Sequence, residues 1–113
     1  MNMSKQFELN WVNLDPTIGA EIKKTRPCLI VSPDEINNFL KTVIIVPLTS
    51  VKRDLPTSIS IKSTQQSGLP NDSYAVLDQL KTVDKSRILS HIGEISESEK
   101  HAVSDTLKEM FHY

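Results

Sequence analysis

Arg26 is the residue best suited to chemistry in this chain, because of what surrounds it. It stands immediately before Pro27, and a proline pushes the preceding residue into an extended conformation. The guanidinium is therefore expected at the mouth of a strand rather than on a loop tip. Lys23 and Lys24 lie just ahead of it, with the carboxylate of Glu21 two residues further back. A guanidinium offers a planar fork of donors matched to phosphate and stays charged at any working pH. The cluster reads as a site for an anionic substrate, with a salt bridge from Arg26 to Glu21 or Asp15 as the purely structural alternative.

A second candidate group follows the apolar run 42–48. Thr49, Ser50 and Lys52 place two hydroxyls and a cation at a predicted strand end, where a hydroxyl can donate to a phosphate oxygen or simply cap a turn. Asp78 and Gln79 fall within an otherwise apolar run. Polar residues in such a place need partners, so the pair is expected either to hold neighbouring loops or to position substrate. His91, His101 and His112 have no metal-ligand spacing with one another or with a carboxylate cluster, so no metal site is expected. The three glycines form no phosphate-cradling motif.

The elements that must position these residues are short. Residues 7–14 read as a first strand, with Phe7, Leu9 and Trp11 on one face and Val12 and Leu14 on the other. Trp11 is expected in the core or an interface rather than as a stacking platform, and Asp15 as a residue capping its own turn. Residues 27–32 form a strand apolar on both faces, hence central, stopped by Ser32-Pro33-Asp34. Asp34 is expected to cap a short helical turn through about Leu40. The β-branched run 42–48 is another central strand. Residues 57–62 alternate, with Ile59 and Ile61 opposite Ser58 and Ser60, as in a half-exposed strand. The stretch 63–73 is a loop, 74–83 one long or bent strand, and 84–87 a tight turn or single helical turn. Gly93 within 88–95 permits a bend or bulge. Ser96 and Glu99 match a capping box, and Val103, Leu107, Met110 and Phe111 then recur at helical spacing.

Composition bounds the rest. A chain of 113 residues is expected to form a single domain over 1–113, and can bury roughly two thirds of its unfolded surface without disulfides or metals. Its one cysteine, Cys28, sits in the apolar run and reads as a small buried hydrophobe. No run is long enough to span a membrane, and the opening residues lack the apolar core of a leader, so a cytoplasmic protein is expected. The net charge of −1 argues against broad attraction to duplex nucleic acid. Cations nevertheless gather at 23–26, 52–53 and 81–87, and the fold could join them into one positive site. Six or seven short strands with a terminal amphipathic helix predict a mainly β fold, a small and partly open antiparallel barrel.

Three separated stretches carry a family resemblance. Leu14-Asp15-Pro16-Thr17 with Gly19-x-Glu21, then Lys24-x-Arg26-Pro27 and an apolar run, resembles the opening motif of the MazF/PemK (Kid) toxin family. Val46-Pro47-Leu48-Thr49-Ser50 resembles its second motif, and the run from Leu77 to Arg87 its third. The resemblance implies an SH3-like barrel of the PemK/CcdB type and a homodimer. It also implies a metal- and cofactor-independent, sequence-selective endoribonuclease acting on single-stranded RNA such as mRNA. In that family the 2′-hydroxyl attacks the adjacent phosphorus, leaving a cyclic phosphate and a 5′-hydroxyl. An antitoxin with an extended or disordered acidic segment is the implied partner. By position Arg26 matches the catalytic arginine, Thr49 the catalytic threonine, Glu21 an acidic site position, and Asp78 an aspartate catalytic in some members.

This chain departs from the pattern at Ala20, Val76 and Lys81, and carries Phe7-Glu8 where the family opens its first strand with Gly-Asp. A free arginine has too high a pKa to be a good base at neutral pH, so charge stabilisation falls to Arg26, orientation to Thr49 and the base to Glu21. Loops 15–25 and 50–57 are expected to read splayed bases, using Lys23, Lys24, Ser50, Lys52, Asp78 and Gln79 for binding. The competing reading is a module of the same barrel that grips RNA, or poisons gyrase as CcdB-type toxins do, without cutting. The Arg26–Thr49 pair favours the nuclease.

Overall fold

The structure is a computed structural model that describes residues 4–113. The expectation of no leader falls partly on residues 1–3, which lie outside the described residues. Among the described residues no helix is long and apolar enough to cross a membrane.

Among the described residues seven strands and two α-helices follow one another as β1 (Glu8–Asn13), β2 (Thr25–Ile30), α1 (Asp34–Asn37), β3 (Thr42–Thr49), β4 (Ser58–Ile61), β5 (Ser73–Val76), β6 (Lys81–Asp84), β7 (Ile88–Glu94) and α2 (Glu97–Met110). Every pairing is antiparallel, in the order β4-β5-β3-β2-β1-β7, with β6 added to β3. The outermost strands, β4 and β7, do not pair with each other, so the barrel stays partly open as its sequence predicts.

β3 is the hub, and it changes partners along its length. Its first half pairs with β6, from Thr42 opposite Asp84 to Ile45 opposite Lys81, and its middle pairs with β2, from Ile45 opposite Ile30 to Pro47 opposite Cys28. Its last two residues pair instead with β5, Leu48 opposite Ala75 and Thr49 opposite Tyr74. A strand flanked on both edges and both faces has to be apolar throughout, which is why 43–48 carries no charged residue. The alternation of side chains sorts two clusters onto the two faces. Leu9, Leu29, Val46, Leu48, Leu77 and Ile95 form one, closed by Val103, Leu107 and Met110 of α2. Val12, Leu14, Cys28, Ile30, Val43 and Ile45 form the other. Fully burying one such side chain is worth about 1.5–3 kcal/mol, so these clusters dominate the local energetics.

α2 starts where its sequence says. Ser96 Oγ accepts from Glu99 N, and Glu99 Oε1 accepts from Ser96 N at 2.8 Å, a complete capping box. It ends one residue short of Phe111, which is exposed. α1 is shorter than predicted, and Pro33 rather than Asp34 is its N-cap. Asp34 turns outward instead, accepting from Gln6 N at 2.8 Å.

The single long or bent strand predicted over 74–83 is two strands, β5 and β6, separated by a 3₁₀ turn over Leu77–Gln79. The break lets one continuous stretch serve opposite ends of β3. β7 bulges twice against β1, skipping Ile92 and Leu89. Gly93 adjoins the first bulge, and there a Cβ would come within 2.4 Å of the Gln66 and Ser67 carbonyl oxygens. The bend expected at Gly93 is present, and a close backbone approach requires the glycine.

Candidate functional site

The parting of β2 from β3 builds the main cleft. The β2–β3 ladder runs Ile30–Ile45, Leu29–Val46, Cys28–Pro47 and then ends. Beyond it β2 continues along β1, with Pro27 opposite Trp11 and Arg26 opposite Val12. β3 swings to β5. Pro27 and Pro47 each remove an N–H donor at the fork, so ending the ladder there forfeits few hydrogen bonds. The opening is a cavity of about 270 Å³ lined by Trp11, Lys24, Arg26, Thr49, Ser50 and Asn71, among others. It carries two cations, several hydroxyl and amide groups, and no carboxylate.

Arg26 is half-buried and makes no ion pair among the described residues. Its Nε donates to the Lys23 carbonyl oxygen at 3.4 Å, the one hydrogen bond its side chain makes among the described residues. Neither carboxylate proposed as a structural partner reaches it. Asp15 Oδ1 accepts from Lys24 N at 3.0 Å, and Glu21 Oε1 from Ile18 N at 2.5 Å. Asp15 thus closes the neck of the 15–24 loop rather than capping its own turn. Lys24 has a φ of 69° in that neck, which aims the chain back into β2. Thr49 Oγ1 accepts from Val51 N at 3.2 Å, and as a hydroxyl it keeps its proton to donate.

A second cavity, about 220 Å³, lies by the neighbouring residues Pro47 and Lys81 and holds Glu21, Asp78 and Gln79. The structure therefore separates the predicted set. Arg26, Thr49, Lys24 and Ser50 share one cleft, whereas Glu21, Asp78 and Gln79 share the other. Lys23 and Lys52 are exposed and line neither. Glu21 differs from its expected place: it is not among the residues lining the Arg26 cleft, and its carboxylate is engaged within its own loop.

Asp78 has both oxygens occupied. Arg53 grips it with two nitrogens at 2.9 and 3.2 Å, and Thr57 Oγ1 donates at 2.8 Å. The Arg53 hydrogen bonds hold its carboxyl below the usual carboxylate value, outweighing the opposing effect of burial, and the Thr57 hydroxyl adds to the lowering. Gln79 Oε1 accepts from Ile22 N at 2.8 Å. Both side chains thus bond to neighbouring loops, as expected of polar residues that need partners. Cys28 is buried and its thiol is pushed up to about 12 by desolvation, as fits an inert core residue.

Sequence reasoning missed Trp11, Asn71, Ser73 and the role of Arg53. Trp11 enters the cleft through its pairing with Pro27, and Asn71 and Ser73 through the pairing of Thr49 with Tyr74. No local pattern announces either. Among the described residues no group of three His, Cys, Asp or Glu side chains could hold a metal ion.

The arrangement can be compared with known proteins. The family model described as PemK-like, MazF-like toxin of type II toxin-antitoxin system matches residues 5–111. The chain belongs to this toxin family. The endoribonuclease EndoA of Bacillus subtilis (strain 168) is 29% identical over 106 residues, covering 92% of this chain and 90% of that protein. Crystalline MazF (Form-I) from Deinococcus radiodurans has the same fold, with a TM-score of 0.84 at 21% identity and full coverage of both chains. An endoribonuclease in complex with its cognate antitoxin, from a mycobacterial species, superposes with a TM-score of 0.77 at 21% identity, covering 94% of this chain and 92% of that one. Membership of the family gives the MazF/PemK resemblance of the three motifs its footing across nearly the whole length.

Proposed function

We propose that this family member is the toxin of a type II toxin–antitoxin pair and a metal-independent endoribonuclease that cuts single-stranded RNA at selected sequences. The observation that carries the reading is the convergence of Arg26 and Thr49, far apart in sequence, on one carboxylate-free cleft. A phosphodiester is an anion, and it finds there a guanidinium with no competing carboxylate and a hydroxyl donor. In the reaction the O2′–P bond forms as the P–O5′ bond breaks, with a net proton transfer from O2′ to O5′. The products are a cyclic phosphate and a free 5′-hydroxyl. An internal nucleophile makes a metal-activated water unnecessary.

Arg26 neutralises the charge gathered on the phosphorane, as a donor already in place before the charge develops. Thr49 donates to a non-bridging oxygen and orients the phosphate. Lys24 and Ser50 hold the flanking backbone, and Trp11 offers a face on which a splayed base can stack. Glu21, in the adjoining cavity, suits recognition of base amino groups better than proton transfer. We assign one domain to the chain, a homodimer as its assembly and the cytoplasm as its site of action. Its antitoxin, by the logic of the pair, covers the cationic cleft with an acidic segment.

The test is single-stranded RNA incubated with the protein and a chelator. Site-specific cuts carrying 5′-hydroxyl ends are the expected result. RNA that is bound but left intact would overturn the nuclease and leave the non-cutting module.

A further inference from the structure

Two neighbouring side chains on one 3₁₀ turn reach two different loops. Asp78 takes the 50–57 loop through the Arg53 fork and the Thr57 hydroxyl. Gln79 takes the 15–24 loop through Ile22 N. The turn carrying them is itself anchored, because Leu77 is buried and its N–H donates to the Thr57 carbonyl oxygen at 3.0 Å. Each loop borders the main cleft at its end nearer the sheet, one at Lys24 and Arg26, the other at Thr49 and Ser50. The outer parts of both present exposed apolar side chains, Ile18 on one and Val51 and Leu55 on the other. Such loops order themselves poorly by burial alone, and ordering a residue costs about 1–2 kcal/mol.

We propose that Asp78 is a positioning residue: with Gln79 it ties the two loops that border the Arg26–Thr49 cleft to one rigid turn, and it takes no part in proton transfer. The inference rests on the RNA-cleaving reading of that cleft. It departs from the family resemblance, which puts a catalytic aspartate at this position. Geometry argues for the tie. Both carboxylate oxygens are already accepting, the group lies outside the residues that line the main cleft, and a bidentate guanidinium fixes direction as well as distance. A carboxylate held ionised by an arginine is also a weak base and a poor acid.

The test uses Asp78→Ala, Asp78→Asn, Arg53→Ala, their double variant, the swapped pair Arg53→Asp with Asp78→Arg, and Gln79→Ala. Hydrogen exchange of the free protein is read first, with no RNA present. Both Asp78 variants and Arg53→Ala are expected to speed exchange across 50–57 by about fivefold, in line with a half-exposed ion pair, with Gln79→Ala acting on 18–24 instead. The double variant should be no worse than either single one, and the swapped pair should restore protection. In cleavage assays the same variants should raise KM and widen the set of cut sites, with kcat falling far less than in Arg26→Ala.

Unchanged exchange in both Asp78 variants would overturn the tie. So would loss of kcat in Asp78→Asn alongside a near-normal Arg53→Ala, which would mark a proton-transfer group. If the unmodified protein cuts no RNA, the cleavage reading fails, while the exchange result still decides whether Asp78 holds the loop.

Discussion

Arg26 and Thr49 lie two register positions beyond Cys28 and Pro47, the last pair of the β2–β3 ladder, and both line the cleft that opens there. Antiparallel registration thus brings both to the mouth of one cleft, although the ladder between their strands has ended. Functional groups placed on strand ends in this way are held by the sheet, with little freedom to drift.

Because Arg26 makes no ion pair among the described residues, its removal should cost function and little else. Arg26→Ala is expected to slow RNA cleavage by about 100- to 1000-fold, the usual loss for one preorganised donor. Its thermal midpoint should stay close to that of the unmodified protein. Full activity in this variant, measured by single-turnover cleavage, would remove the site assignment.

Trp11 is the sole tryptophan of the chain and lines the same cleft. Titrating the Arg26→Ala protein with a short single-stranded RNA should therefore change tryptophan emission long before any cleavage. The change should weaken as salt rises, since contacts to the phosphate backbone release counterions. An emission spectrum indifferent to RNA would place binding elsewhere.

Asp78 also predicts a pH dependence. Its folded pKa lies below the ordinary 3.8 chiefly through the Arg53 hydrogen bonds. A depressed carboxylate contributes stability that is present above its unfolded pKa and is lost as pH falls through the folded value. The urea midpoints of the unmodified protein and Asp78→Asn should hence differ at neutral pH and converge only below about pH 4. Convergence already at pH 6 would contradict the Arg53 contact.

Gly93 has no room for a side chain, with two carbonyl oxygens at 2.4 Å from a would-be Cβ. Gly93→Ala should lower unfolding free energy by about 1–3 kcal/mol, the usual cost of overpacking. The damage should stay on the β7 side, so folded molecules keep their cleavage rate at low temperature. A denaturant midpoint equal to that of the unmodified protein would refute the close approach.

What the chain's sequence determined by itself was local. The Ser96–Glu99 box starts α2, Pro27 forces Arg26 to be extended, and the β-branched run 42–48 makes a central strand. Each signal acts within a few residues, through a side chain reaching its own backbone or a ring closing off a dihedral. The three motifs carried the family for the same reason.

Tertiary structure alone decided the rest. Where β3 leaves β2 for β5 depends on partners distant in sequence, such as Tyr74 opposite Thr49, and that departure opens the cleft and admits Trp11 and Asn71. The split of 74–83 accompanies the same switch, and the 3₁₀ turn it leaves carries Asp78 to Arg53 and shares a cavity with Glu21, apart from Arg26. Strand pairing is nonlocal. It is set by which apolar faces can be buried together, and no window of sequence contains both sides of that choice.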